Sequence, residues 1–108
     1  AGKKIKEEFH IYVLSNLHEL AFKAVLAHEY LHVYLFQNDY ELESDLREGF
    51  CNLGSQLMLK KDNSVLSNYL LDSMYGSDDP DYGKGFIKMN SMLEKKGWNT
   101  LLNDLVKL

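Results

Sequence analysis

Residues 26–35 read Leu26-Ala27-His28-Glu29-Tyr30-Leu31-His32-Val33-Tyr34-Leu35, inside a stretch free of glycine and proline that extends from Leu17 to Phe36. Leu17, Leu20, Ala21, Ala24, Leu31 and Leu35 share roughly one face of a 3.6-residue helix, and Phe22 and Val25 widen it. An apolar surface on most sides predicts a buried, central helix from about Leu17 to Phe36. His28 and His32 are four positions apart, so their side chains leave the helix only about 40° apart around its axis.

Upstream of this helix, Phe9-His10-Ile11-Tyr12-Val13-Leu14 is short and rich in β-branched and aromatic residues, which predicts a strand. Ser15-Asn16 should break it, with Asn16 capping the helix and Glu19 completing a capping box. Downstream, Asn38-Asp39 should end the first helix, and a second should run from Ser44 to about Lys60. Its internal glycines, Gly49 and Gly54, each cost about 1 kcal/mol against alanine unless they admit close packing of another helix. Asp62-Asn63-Ser64 reads as a turn and cap before a third helix, Val65 to Tyr75, with Leu66, Tyr69, Leu70 and Met74 inward. Gly76-Ser77-Asp78-Asp79-Pro80 is a loop, with Pro80 suited to a first helical position. A fourth helix then reaches Lys96, burying Tyr82, Phe86, Met89 and Leu93, and Gly97 supplies a left-handed stop. Asn99 opens a last short helix carrying Leu101, Leu102, Leu105 and Val106.

The expected fold class is therefore mainly α with an α+β element: one N-terminal edge strand and about five helices in a single domain, residues 1–108. A lone strand needs a partner. That points to a C-terminal part of a longer protein, or to strand pairing with a second copy.

Composition narrows the function. Hydrophobic residues make up 45% and charged residues 26% of the 108, a globular balance. The net charge of −4 argues against a nucleic-acid surface. No run of 18 apolar residues exists, so no membrane span is expected. The single cysteine, Cys51, makes no internal disulfide and points to a reducing, cytoplasmic setting.

His28-Glu29-Tyr30-Leu31-His32 is an H-E-x-x-H pentapeptide on a helix. Two neutral imidazoles hold zinc at about 2.0–2.1 Å, and the carboxylate between them is free to accept a proton from the water that zinc acidifies. A catalytic zinc takes a third protein ligand and keeps one position open. Glu48 is the best candidate, because a helical return across 38–42 brings it back to the first helix and Gly49 allows close approach; Glu41 and Glu43 are rivals. Asn52, one turn after Glu48, suits the free N–H of a ligating histidine. Tyr82 and Tyr40 are candidate donors to a developing oxyanion. His10 and His18 read as ordinary surface, and Cys51 as a core thiol.

With these residues assembled, the chain resembles the zinc peptidase domain found at the C-terminus of the plant LIM-domain organ-size regulators, the ubiquitin-activated peptidases, and in bacterial relatives. The likeness rests on residues 26–35, on Tyr40, on Arg47-Glu48-Gly49-Phe50-Cys51, and on Asp81-Tyr82-Gly83-Lys84-Gly85-Phe86. It extends over nearly the whole chain, with the three motif blocks specific and the stretches between them loose. It implies a gluzincin-type, zincin-like metallopeptidase in which His28, His32 and Glu48 hold Zn2+ and Glu29 is the general base. The clan's substrates lie along an edge strand, the part that Phe9 to Leu14 would play. Arg47 departs from the pattern, which usually has an acidic residue before the Glu-Gly step. These residues contain no LIM domain or ubiquitin-binding helix, so ubiquitin regulation is not carried over.

The expected function is thus zinc-dependent hydrolysis of a peptide or protein substrate. The rivals are a non-catalytic, zinc-stabilised interaction module and a helical regulatory protein in which the motif is coincidental.

Overall fold

The computed structural model describes the backbone of residues 2–76 and 83–108, and side chains from residue 15 onward. Among the described residues there are four α-helices: α1 (Gly2–Gln37), α2 (Ser44–Asp62), α3 (Val65–Tyr75) and α4 (Lys84–Asp104), closed by a 3₁₀ turn at Leu105–Lys107. The chain is mainly α, as its sequence implies. There is no strand among the described residues.

The expected strand at 9–14 is corrected: these residues continue α1. Ser15 and Asn16 do not interrupt it, and Asn16 is no cap. A six-residue β-prone run gains nothing without a neighbouring strand, whereas adding turns to an existing helix avoids the cost of a new nucleus. The edge for strand pairing, with a second copy or with a substrate, goes with it.

α2 is the central element. Every residue from Gly49 to Gln56 is buried, and α2 packs on α1, α3 and α4. Phe50, Cys51 and Leu53 form the middle of the core with Met89, Leu101 and Leu105. The glycines explain this burial. A Cβ on Gly49 would collide with the backbone of Gly85 in α4, and one on Gly54 would lie 2.8 Å from the carbonyl oxygen of Ala27 in α1. Both sides of α2 thus approach a neighbour backbone to backbone. α1 is less buried than its composition predicts: Leu20, Ala24 and Leu35 are buried, while Phe22, Val25 and Val33 are exposed.

The punctuation is as read. Asp39 ends α1 with φ 55° and Asn63 caps α2 with φ 48°. Ser64 and Ser67 form a reciprocal capping box on α3. Within α3, Leu71 and Met74 are buried but Tyr69 faces solvent, against expectation. Gly97 breaks α4 with φ 79° and ψ 170°. The short helix expected after Gly97 is the helical segment of α4 beyond that break.

Candidate metal centre

α1 and α2 form an antiparallel hairpin joined by residues 38–43. Its register can be followed rung by rung. Ser55 Oγ donates to the Ala24 carbonyl at 2.8 Å. Gly54 abuts Ala27. One turn beyond Ala24 along α1, His28 Nδ1 lies 2.7 Å from Asn52 Oδ1. One turn beyond that, His32 Nε2 lies 3.0 Å from Glu48 Oε2. The spacing of four along α1 and of three to four along α2 keeps these side chains on the two facing surfaces.

Three atoms converge at the end of this ladder. His28 Nε2 and His32 Nε2 are 3.1 Å apart, and Glu48 Oε2 is 3.2 Å from the first and 3.0 Å from the second. With Asn52 accepting, His28 carries its proton on Nδ1 and turns the Nε2 lone pair toward the carboxylate. Two lone pairs 3.2 Å apart need a cation or a proton between them. Two ligand atoms on a tetrahedral zinc at about 2.0–2.1 Å stand about 3.3 Å apart. The triangle is within a few tenths of an ångström of that spacing, so these residues fit a metal ion. The three side chains keep 20–28% exposure, which leaves the centre open to solvent on one side.

Cys51 belongs to the same group: a donor atom from each of His28, His32, Glu48 and Cys51 lies within 4.8 Å of every other. This cluster could hold a metal ion. The sequence reading took Cys51 for core packing alone; the missed signal was its position three residues after Glu48, which gives the two one face of α2. Cys51 has no solvent exposure. Burial pushes its thiol up to about 12, the Glu48 and Glu29 carboxylates push the same way, and Arg47 opposes them. In the absence of metal it is therefore a neutral thiol rather than a nucleophile.

Glu29 is exposed on α1 and is not one of the clustered donors. Glu41 and Glu43 are exposed in the connection and outside the donor group, so Glu48 alone of the three candidates joins the histidines. Tyr40 packs edge-to-face on Tyr34 and lines a cavity of about 660 Å3 that also includes His32. Tyr82 lies outside the described residues, as does the loop at 77–81, and the side chain of His10 is likewise not described. His18 is exposed, as expected of a surface histidine. No described helix is long and apolar enough to cross a membrane.

Compared with known proteins, the chain matches no family model, no curated protein and no solved structure.

Proposed function

We propose that this chain is a zinc-dependent hydrolase of peptide bonds, with His28, His32 and Glu48 as the metal ligands and Glu29 as the general base. The observation that carries the reading is the triangle of two imidazole nitrogens and one carboxylate oxygen at 3.0–3.2 Å, with one imidazole fixed from behind by Asn52. Zinc held there would supply Lewis acidity, polarising a carbonyl and acidifying water. The chain's own residues supply the rest. Asn52 holds the His28 tautomer, which keeps Nε2 free to ligate. With Glu48 as the one carboxylate among the ligands, a dication held there would keep a net positive charge toward a developing oxyanion. Glu29 follows His28 directly and stays out of the donor group, so its carboxylate is available to take a proton from the attacking water and pass it to the leaving amine. Tyr40 is the donor candidate that the cavity beside His32 retains.

The test is a pair of measurements on one variant. Glu29→Gln should keep one zinc per chain by elemental analysis and lose about 10²–10⁴-fold in peptide hydrolysis. Unchanged turnover would remove Glu29 as the base.

A second reading has one observation in its favour. With Cys51 counted, the group offers four donors, the number found in closed, structural zinc sites. A non-catalytic, metal-stabilised module would then bind zinc, show no turnover, and lose zinc affinity in Cys51→Ala. A hydrolase with three ligands keeps its zinc in that variant.

A further inference from the structure

The cavity of about 660 Å3 next to the metal centre has the ligand His32 on its wall, together with Phe36, Tyr40, Glu41 and Arg47. Arg47 immediately precedes the ligand Glu48 on α2. Among the described residues its guanidinium has no carboxylate partner; its contact is Nη2 donating to Ser44 Oγ at 3.4 Å, at the outer limit of a hydrogen bond. An arginine with donors unspent, in a cavity that shares a wall with the reacting centre, is suited to hold a planar anion in two-point contact. Glu41 on the same wall makes no ion pair with it among the described contacts, so an incoming anion has no existing bridge to displace.

We infer that Arg47 is a specificity-determining residue and that the preferred substrates carry a carboxylate within a residue or two of the scissile bond, seated in the cavity between His32 and Arg47. This rests on the hydrolase reading for the reaction, and on the cavity alone for the binding. Phe36 and Tyr40 give the same cavity an apolar and aromatic wall, which suits the methylene stem of an acidic side chain or the residue bearing a terminal carboxylate.

The experiment uses the full chain loaded with zinc and a matched set of peptides: Glu or Gln next to the scissile bond, each with a free or an amidated C-terminus. Hydrolysis is followed as kcat/KM, and binding is followed in parallel by calorimetry at low and high salt. Wild type should favour the carboxylate peptide over its amide about 10-fold, as expected for a charge-assisted, two-point contact. Arg47→Ala should bring that ratio to about one, and Arg47→Lys should restore part of it. Whether the ratio follows the side chain or the terminus identifies which carboxylate is held. A wild type that does not discriminate, or an Arg47→Ala variant that still does, overturns the inference. If no peptide is cleaved, the hydrolase reading fails, and the calorimetric ratio decides the binding inference alone: a carboxylate preference lost in Arg47→Ala upholds it, and equal binding overturns it.

Discussion

His28 and Asn52 are joined across the α1–α2 interface, with Nδ1 and Oδ1 2.7 Å apart. The bond is buried on the Asn52 side, where the residue keeps only 2% exposure. Asn52 therefore orients the imidazole of a proposed metal ligand. Removing such a partner costs about 10–100-fold in metal affinity. Asn52→Ala should show that loss in a chelator competition, and Asn52→Asp, which keeps an acceptor, should recover most of it. Equal affinity in all three proteins would show that His28 is oriented by something else.

Glycine substitutions separate the site from the fold. Gly54→Ala places a methyl 2.8 Å from the Ala27 carbonyl oxygen, and overpacking of this kind costs about 1–3 kcal/mol. It also pushes Glu48 and Asn52 away from the histidines, so zinc affinity should fall with stability. Gly97→Ala meets nothing within 4 Å but forces a side chain onto φ 79°, a strain of about 1–3 kcal/mol. There zinc affinity should stay at the wild-type value. Urea unfolding and chelator competition on both variants check the contrast.

Zinc should stabilise the chain by mass action, by about 2.7 kcal/mol at a free concentration 100 times the dissociation constant. The gain should vanish in His32→Ala and in Glu48→Gln. It should persist in Glu29→Gln, whose carboxylate is outside the donor group. A Glu29→Gln protein that no longer gains stability from zinc would make Glu29 a ligand.

Tyr75 gives a pH dependence of known sign. Its phenol donates to Gln56 Oε1 at 2.8 Å, and burial first, then Glu94 and Asp72, hold its pKa above the usual tyrosine range. A raised pKa means that the unfolded chain loses this proton first, so stability falls as pH rises through the ordinary tyrosine range. Tyr75→Phe should remove that part of the decline while costing about 1 kcal/mol at neutral pH, because Gln56 loses a donor. Urea midpoints at pH 8 and near pH 10 in wild type and variant measure both effects.

Much of this architecture is written in short-range signals. The boundaries of α2, the Ser64 cap, the Asn63 turn and the break at Gly97 all follow from residues whose backbone preferences are local. So does the grouping of His28, His32 and Glu48, because i, i+4 on one helix and a short return to the next leave few alternatives for Glu48, whereas Cys51 in the same group was not read. Residues 9–14 were misread because strand propensity describes fit to a sheet, and no sheet is present among the described residues to receive them. The central position of α2 was also hidden. Its sequence mixes Asn52, Ser55 and Gln56 with apolar residues, and hydrogen bonds such as those to His28, Ala24, Asn90 and Tyr75 allow them to be buried. The place of Arg47 on a cavity wall with His32 depends on the path of residues 38–43, which no periodicity encodes.

The three proposed ligands all come from one hairpin, with Glu48 only sixteen positions from His32. An ion bound there is a short-range clasp. It ties α1 to α2 and places no direct restraint on α3 or α4, which pack on α2 through the apolar core and the Gln56 hydrogen bonds. Stripping the metal should therefore not soften the molecule evenly. Amide hydrogen exchange should accelerate first along the facing turns of the hairpin, around residues 24–32 and 48–55, while α4 near Met89 keeps its protection until the chain unfolds as a whole.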